Sequence, residues 1–331
     1  MKKKALEIVC PAGTPAALRA GVEAGTDTVY LGFQDETNAR NFPGLNFTRA
    51  ELREGVKYAH TNGVKVLAAI NTFAKAGNLT PWHNAVDDAA DCGVDAVIIA
   101  DMGMLHYATK AHPSLRRHLS VQASASTEEA INFYQSEFDI KRVVLPRVLT
   151  VPEIKALNKK INVETEVFVF GGLCVMAEGR CSLSSYITGI SPNKEGACSP
   201  ASHVRYSQER GKMVSKLGNY TINSFKQGEA AGYPTLCKGR FTVDGETSYL
   251  FEEPTSLNAL DMIPDLMDAG VTAIKIEGRQ RGKAYISTII PQIRAVVEAA
   301  ARGDAVPSTE ILHEITEGQR QTAGAYKKTW R

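Results

Sequence analysis

The run Arg49-Ala50-Glu51-Leu52-Arg53-Glu54-Gly55-Val56-Lys57-Tyr58-Ala59-His60-Thr61-Asn62-Gly63-Val64-Lys65-Val66-Leu67-Ala68-Ala69-Ile70-Asn71 holds one complete unit of the fold. Arg49 to Thr61 is amphipathic at helical spacing. Gly63 supplies a stop signal, because glycine adopts the left-handed conformation that ends a helix. Val64 to Ile70 is then a short apolar, β-branched run, which reads as a strand, and Asn71 stands at its end.

The same grammar extends in both directions. Strands are predicted at Glu7 to Cys10, Thr28 to Leu31, Val64 to Ile70, Ala96 to Ala100, His118 to Gln122, Arg142 to Leu145, Glu164 to Phe170 and Ala273 to Ile276. Amphipathic segments lie between them, such as Pro15 to Ala24, Ala85 to Cys92, Thr127 to Phe138 and Val151 to Lys159, and Gly25, Gly93 and Gly270 repeat the stop signal. Strands that follow helices in this way suit parallel pairing through crossovers. The expectation is an α/β fold, a (β/α)8 TIM-like barrel, with an open doubly wound sheet as its competitor. Its strand ends would collect Pro11, Gly32, Asn71, Asp101, Gln122, Arg147, Gly171 and Glu277 on the face where barrels do chemistry.

The grammar breaks between the seventh and eighth strands, where Gly, Pro, Ser, Asn and Cys accumulate. The expected division is therefore residues 1–170 for the first seven units, 171–255 for an insertion, and 256–331 for a closing helix, the eighth strand and C-terminal helices. A loop of this length needs something to order it, and a metal site would do so. Four of the six cysteines lie there, Cys174, Cys181, Cys198 and Cys237, in the spacing C-x6-C-x16-C-x38-C. Four soft thiolates match the corners of a [4Fe–4S] cube. Structural zinc usually recruits tighter cysteine pairs, so the spacing favours a cluster over zinc, with unliganded thiols as the third reading. Cys10 and Cys92 stand apart and read as packing residues.

Composition narrows the function. The 331 residues are 44% hydrophobic, and 38 Lys and Arg nearly balance 36 Asp and Glu, so no global field favours nucleic acid or anionic lipid. The doublets Arg116-Arg117 and Lys159-Lys160 are short and expected on outer elements, too little for a large RNA footprint. The N-terminal Met1-Lys2-Lys3-Lys4 leads into a run broken by Glu7 and Pro11, and no apolar stretch reaches the ~20 residues of a membrane span; a cytoplasmic protein is expected.

At Glu166-Val167-Phe168-Val169-Phe170-Gly171-Gly172-Leu173-Cys174 and Gly179-Arg180-Cys181-Ser182-Leu183-Ser184 the sequence resembles the signature of the collagenase-like peptidase family, with Gly172 where the family pattern has Ser or Ala. The runs Asp35 to Phe42, Leu45 to Thr48, Ser120 to Ala125, Glu253 to Asn258 and Lys275 to Arg279 extend the likeness over essentially the whole chain. They resemble the branch of that family that serves oxygen-independent ubiquinone biosynthesis. The resemblance implies a [4Fe–4S] cluster on Cys174, Cys181, Cys198 and Cys237. It also implies a heterodimer with a sister cluster protein, UbiV, and hydroxylation of the aromatic ring of ubiquinone precursors with prephenate as oxygen donor. Relatives in the family hydroxylate bases of ribosomal or transfer RNA, which is the alternative enzyme reading. Peptidase chemistry has little support, since the chain has neither H-E-x-x-H nor G-x-S-x-G, and Ser182, Ser184 and Ser185 read as loop residues. A non-catalytic scaffold ordered by its cluster is a third reading.

Prephenate carries two carboxylates, and arginine is the side chain best matched to them. Arg40, Arg147, Arg180 and Arg279 are the candidates, with Arg40–Asp35 or Arg279–Glu277 salt bridges as the plain alternative. Glu166 and Glu277 fall on apolar strands, where a charge is costly unless paired, and are expected to point inward as catalytic groups or as partners of an interior arginine. The expected catalytic set is thus Glu166, Arg180, Glu277 and Arg279. Arg40, Asn71, Gln122 and Arg147 are expected to bind substrate. His60, His83 and His203 have no spacing that points to a triad or metal site.

Overall fold

A computed structural model describes residues 5–174, 176–209, 211–229, 231–316 and 320–327. Seven strands are joined in order by helices: β1 (Glu7–Pro11), α1 (Pro15–Glu23), β2 (Thr28–Gly32), α2 (Arg49–Thr61), β3 (Lys65–Ile70), α3 (Thr80–Asp91), β4 (Ala96–Ile99), α4 (Met102–Ala111), β5 (Arg116–Leu119), α5 (Glu128–Phe138), β6 (Arg142–Val144), α6 (Val151–Asn158) and β7 (Glu164–Gly172). Local chemistry fixes the helix starts. Thr48 and Thr150 each form a reciprocal capping box, with Glu51 and Glu153, and Thr14 caps α1.

The insertion follows β7. It carries the short helices α7 (Leu183–Thr188) and α8 (Pro192–Glu195), a three-stranded antiparallel sheet of β8 (Val204–Glu209), β9 (Lys212–Leu217) and β10 (Tyr220–Ser224), and a hairpin of β11 (Arg240–Val243) and β12 (Glu246–Tyr249). The chain returns through β13 (Thr255–Asn258), which runs antiparallel to the outer end of β7, pairing Leu257 with Gly171. Helix α9 (Ile263–Asp268) and strand β14 (Ala273–Ile276) complete the eighth unit, and the long helix α10 (Lys283–Arg302) packs beside α1. A last strand, β15 (Arg320–Thr322), lies parallel to β13.

β14 closes the barrel. It pairs in parallel with β1, Glu7 opposite Ala273, and with β7, Ala273 opposite Glu166, so eight parallel strands form a ring: the (β/α)8 barrel. Alternation along each strand sorts the side chains. Val9, Tyr30, Leu67, Ala96, Ile98 and Ala273 form an inner cluster, distinct from the larger core between strands and helices.

Strand five differs from its expected bounds. It occupies Arg116–Leu119, and Val121–Ala123 is a 3-10 turn capped by the Ser120 hydroxyl, which accepts from the Gln122 N–H. The doublet Arg116-Arg117 is also not an outer basic patch. Arg117 is buried, donating to the carbonyls of Phe138 and Leu115 at 2.9 and 2.6 Å, and Arg116 pairs with Glu164 at 2.7 Å. No helix among the described residues is long and apolar enough to cross a membrane.

Candidate functional site

A cavity opens where the barrel strands end, with about 510 Å³ of empty space counting its open mouth. Six residues expected at the site line it together: Arg40, Asn71, Gln122, Arg147, Glu277 and Arg279. They come from loops after five different strands. Cys174 lines it as well.

Glu277 organises the mouth. Its carboxylate accepts from Arg40 Nε at 3.2 Å and from Arg147 Nη2 at 3.3 Å. Burial works to raise the Glu277 carboxyl, but Arg40, Arg147 and Arg279 outweigh it and hold it below the usual carboxylate range. Arg147 also reaches Glu178 at 2.8 Å and stacks over the Phe168 ring at 3.8 Å. Arg40 therefore pairs with Glu277, not with Asp35, which takes Arg49 instead at 3.1 Å. Arg279 donates to the Asn38 side chain at 3.0 Å, and burial lowers its guanidinium to about 10. The Nε–H groups of Arg147 and Arg279 are buried and have no hydrogen-bond partner among the described residues. Asn71 accepts from the Ala39 N–H at 2.9 Å and donates to Ser120 at 3.3 Å, so it ties two loops together.

Two residues expected at the catalytic centre lie elsewhere. Glu166 is fully buried deeper in the barrel, held by Lys275 Nζ at 2.7 Å and Arg142 Nη1 at 3.0 Å, and Arg180 is exposed and does not line the cavity. Sequence reasoning missed Glu178 and Lys275, which do line it. Lys275 was detectable, because it lies two residues after Ala273 on β14 and so shares that residue's inward face. Glu178 carried no signal apart from its cysteine neighbours.

All four insertion cysteines are free thiols. Burial pushes Cys198 up to about 12, and the charges of Cys174, Cys237 and Cys181 add to the rise while Arg40 opposes it. Cys237 is raised by burial and, in turn, by Cys174 and Cys181. Geometry joins the segments that carry these cysteines: α7, just after Cys181, packs on the turn Leu236–Lys238 that holds Cys237, and the Ser184 hydroxyl donates to the Cys198 carbonyl, while Arg40 feels Cys174 and Cys198 as well as Glu277. Among the described residues, no three His, Cys, Asp or Glu side chains gather as a group that could hold a metal ion. A cube differs from such a centre in giving each thiolate its own iron, so its ligands need not meet at one point. Four convergent soft donors beside a guanidinium fit a cluster of that kind.

Glycines beside two of the cysteines seat the insertion on the barrel. Gly196 presses against the Asn38 carbonyl and Gly179 against the Gln122 carbonyl; a Cβ at either would collide with backbone, and both have positive φ, 78° and 72°. Hydrogen bonds from Asn41 N–H to Gly196, 3.2 Å, and from Phe73 N–H to Asn193, 2.9 Å, complete the seam.

A family model described as peptidase family U32 matches residues 13–327. The chain belongs to that family. Its U32 relatives carry contrasting names. The tRNA hydroxylation protein P1 of Bacillus subtilis (strain 168) is 29% identical over 324 residues, 97% of this chain and 70% of that protein. The 23S rRNA 5-hydroxycytidine C2501 synthase of Escherichia coli (strain K12) is 30% identical over 306 residues, 90% of this chain and 40% of that protein. The collagenase of Porphyromonas gingivalis (strain ATCC BAA-308 / W83) is 29% identical over 308 residues, 90% of this chain and 66% of that protein. The solved structure of the U32 peptidase Mk0906 aligns with a TM-score of 0.43 at 18% identity, covering 51% of this chain and 71% of that one.

Proposed function

We propose that this U32 chain is the iron–sulfur subunit of an oxygen-independent hydroxylase acting on the aromatic ring of ubiquinone precursors. In this reading it plays the part of UbiU, in the cytoplasm, as a heterodimer with a UbiV-like sister protein and with prephenate as oxygen donor. The observation that carries the proposal is the packing together of the segments that bear Cys181, Cys198 and Cys237, with Cys174 lining an arginine-rich cavity. Relatives named for tRNA hydroxylation and 5-hydroxycytidine synthesis support hydroxylation, while the collagenase carries the peptidase alternative.

A [4Fe–4S] cluster on the four thiolates would supply electrons. The chain's own residues do the rest. Arg147 and Arg279 offer unpartnered Nε–H donors to a carboxylate, and Glu277 fixes the orientation of Arg40 and Arg147 while limiting the positive charge they present. Asn71 and Gln122 line the same cavity, where an amide can orient a carbonyl or hydroxyl.

Anaerobic purification, alone and with the sister protein, tests the first half: about four iron and four sulfide per chain are expected for one cube. A preparation that stays iron-free under these conditions overturns the cluster assignment. Conversion of an unhydroxylated prenylated phenol by the reconstituted pair tests the second half.

A second reading, hydroxylation of an RNA base, draws on the relatives named for tRNA and rRNA. It predicts tight, salt-sensitive RNA binding and loss of a hydroxylated base, detected by nucleoside mass spectrometry, from cells lacking the chain. Intact RNA modification together with missing ring hydroxylation would exclude it.

A further inference from the structure

Lys275 is the only lysine among the residues lining the cavity, and the proposed function gives it no task. The other cations there, Arg40, Arg147 and Arg279, are guanidinium groups, which stay protonated and do not act as nucleophiles. Lys275 differs in kind. It stands on β14 inside the barrel, with Nζ 2.7 Å from the fully buried Glu166 carboxylate and 3.7 Å from the centre of the Tyr30 ring. Arg279 lies over the same ring at 5.6 Å. An amine and a guanidinium thus share one aromatic ring.

Burial lowers the proton affinity of Lys275, and the cations of Arg142 and Arg279 add to that effect, while Glu166 opposes it. The Glu166 carboxylate, 2.7 Å away, is the group in contact with the Lys275 ammonium. Tyr30, whose hydroxyl donates to the Ile276 carbonyl at 2.8 Å, is held as a fixed wall. The buried Nε–H groups of Arg147 and Arg279 await an acceptor beside the amine.

We propose that Lys275 forms an imine with the carbonyl of a 2-oxo carboxylate whose carboxylate is held by Arg279 and Arg147. Glu166 accepts a proton from the Lys275 ammonium, and the amine then adds to the oxo carbon. The carbonyl oxygen takes up two protons, including the one stored on Glu166, and departs as water. The product is a protonated imine between Nζ and the former oxo carbon; charge is conserved, no electrons change owner, and hydrolysis reverses the step. Prephenate is one molecule of this class, but the proposal needs neither it nor the iron–sulfur cluster, so it and the function proposed above can fail separately.

The test is borohydride trapping on the metal-free full-length chain. Pyruvate or phenylpyruvate is added, the imine is reduced to a stable secondary amine, and the modified lysine is located by peptide mass mapping. A 2-oxo acid adduct on Lys275 is expected, and acetone, which lacks the carboxylate, should trap at least about tenfold less. Arg279→Gln should lower trapping by pyruvate by a similar factor. Adducts confined to surface lysines, or equal trapping of acetone and pyruvate at Lys275, would overturn the proposal. Lys275→Met should lose the adduct, and because the adduct is mapped on the wild-type chain the test stands even if that variant fails to fold.

Discussion

Deep in the barrel, Arg142 is surrounded by Glu7, Glu164 and Glu166 at 2.7 to 3.0 Å, and Lys275 shares Glu166. At the mouth of the same barrel, Arg40, Arg147 and Arg279 gather around Glu277 and Glu178, and two guanidinium Nε–H groups are left without an acceptor. Both regions bury arginine. The deep layer satisfies it with the chain's own carboxylates, whereas the mouth leaves donors over, and burial together with neighbouring thiols raises the proton affinity of Cys198 and Cys237. The Arg142 network is thus built to hold the ring of strands together, Lys275 joins it to the cavity, and the mouth is built for something the described residues do not themselves supply.

The comparison breaks most directly at Glu166. Glu166→Ala leaves Lys275 without its carboxylate and Arg142 short of one, and should cost about 3–5 kcal/mol, read by urea denaturation. A loss below 1 kcal/mol would show that the deep network does not hold the barrel. Acid tests the same layer from its outer side. Burial works to raise the Glu7 carboxyl, yet Arg142 and the Thr28 hydroxyl outweigh it and hold it at about 2. A depressed carboxyl stabilises the fold above its unfolded value near 4.5, and that stability is lost as pH falls toward 2. About 3 kcal/mol should disappear across this window, and Glu7→Gln should flatten the acid limb of the stability curve.

Smaller effects are expected at the mouth. Gly196→Ala forces a side chain against the Asn38 carbonyl at φ 78° and should cost about 1–3 kcal/mol, together with lower iron content in anaerobically purified protein. Arg279→Gln should stay within about 1 kcal/mol of wild type, because burial already disfavours that cation. If Arg279→Gln instead matched Glu166→Ala, the distinction between the two regions would fail.

The barrel was legible because seven of its strands carry a β-branched or aromatic apolar run. Strand five was displaced by two residues for a definite reason: its first residues are Arg116, Arg117 and His118, polar side chains paired or buried inside the fold, so the apolar signal began only at Leu119. The rim residues Arg40, Asn71, Gln122, Arg147, Glu277 and Arg279 could be read from their positions at or after strand ends, which the barrel brings to one face. Their partners could not. The link from Arg147 to Glu178 and the seat of Gly196 on Asn38 depend on how the insertion folds back, which no local pattern encodes.

The strand that closes the ring is separated from its neighbour β7 by the whole insertion, and from its other neighbour β1 by almost the entire chain. During synthesis, the first seven strands leave the ribosome with the β1 edge and most of the β7 edge unpaired, and these stay so until Ala273–Ile276 emerges. Pairing across so long a stretch of polypeptide is slow, since the entropy of closing the loop is lost before any contact forms. Nascent chains stalled short of β14 are therefore the form of this protein most exposed to aggregation and most in need of a chaperone.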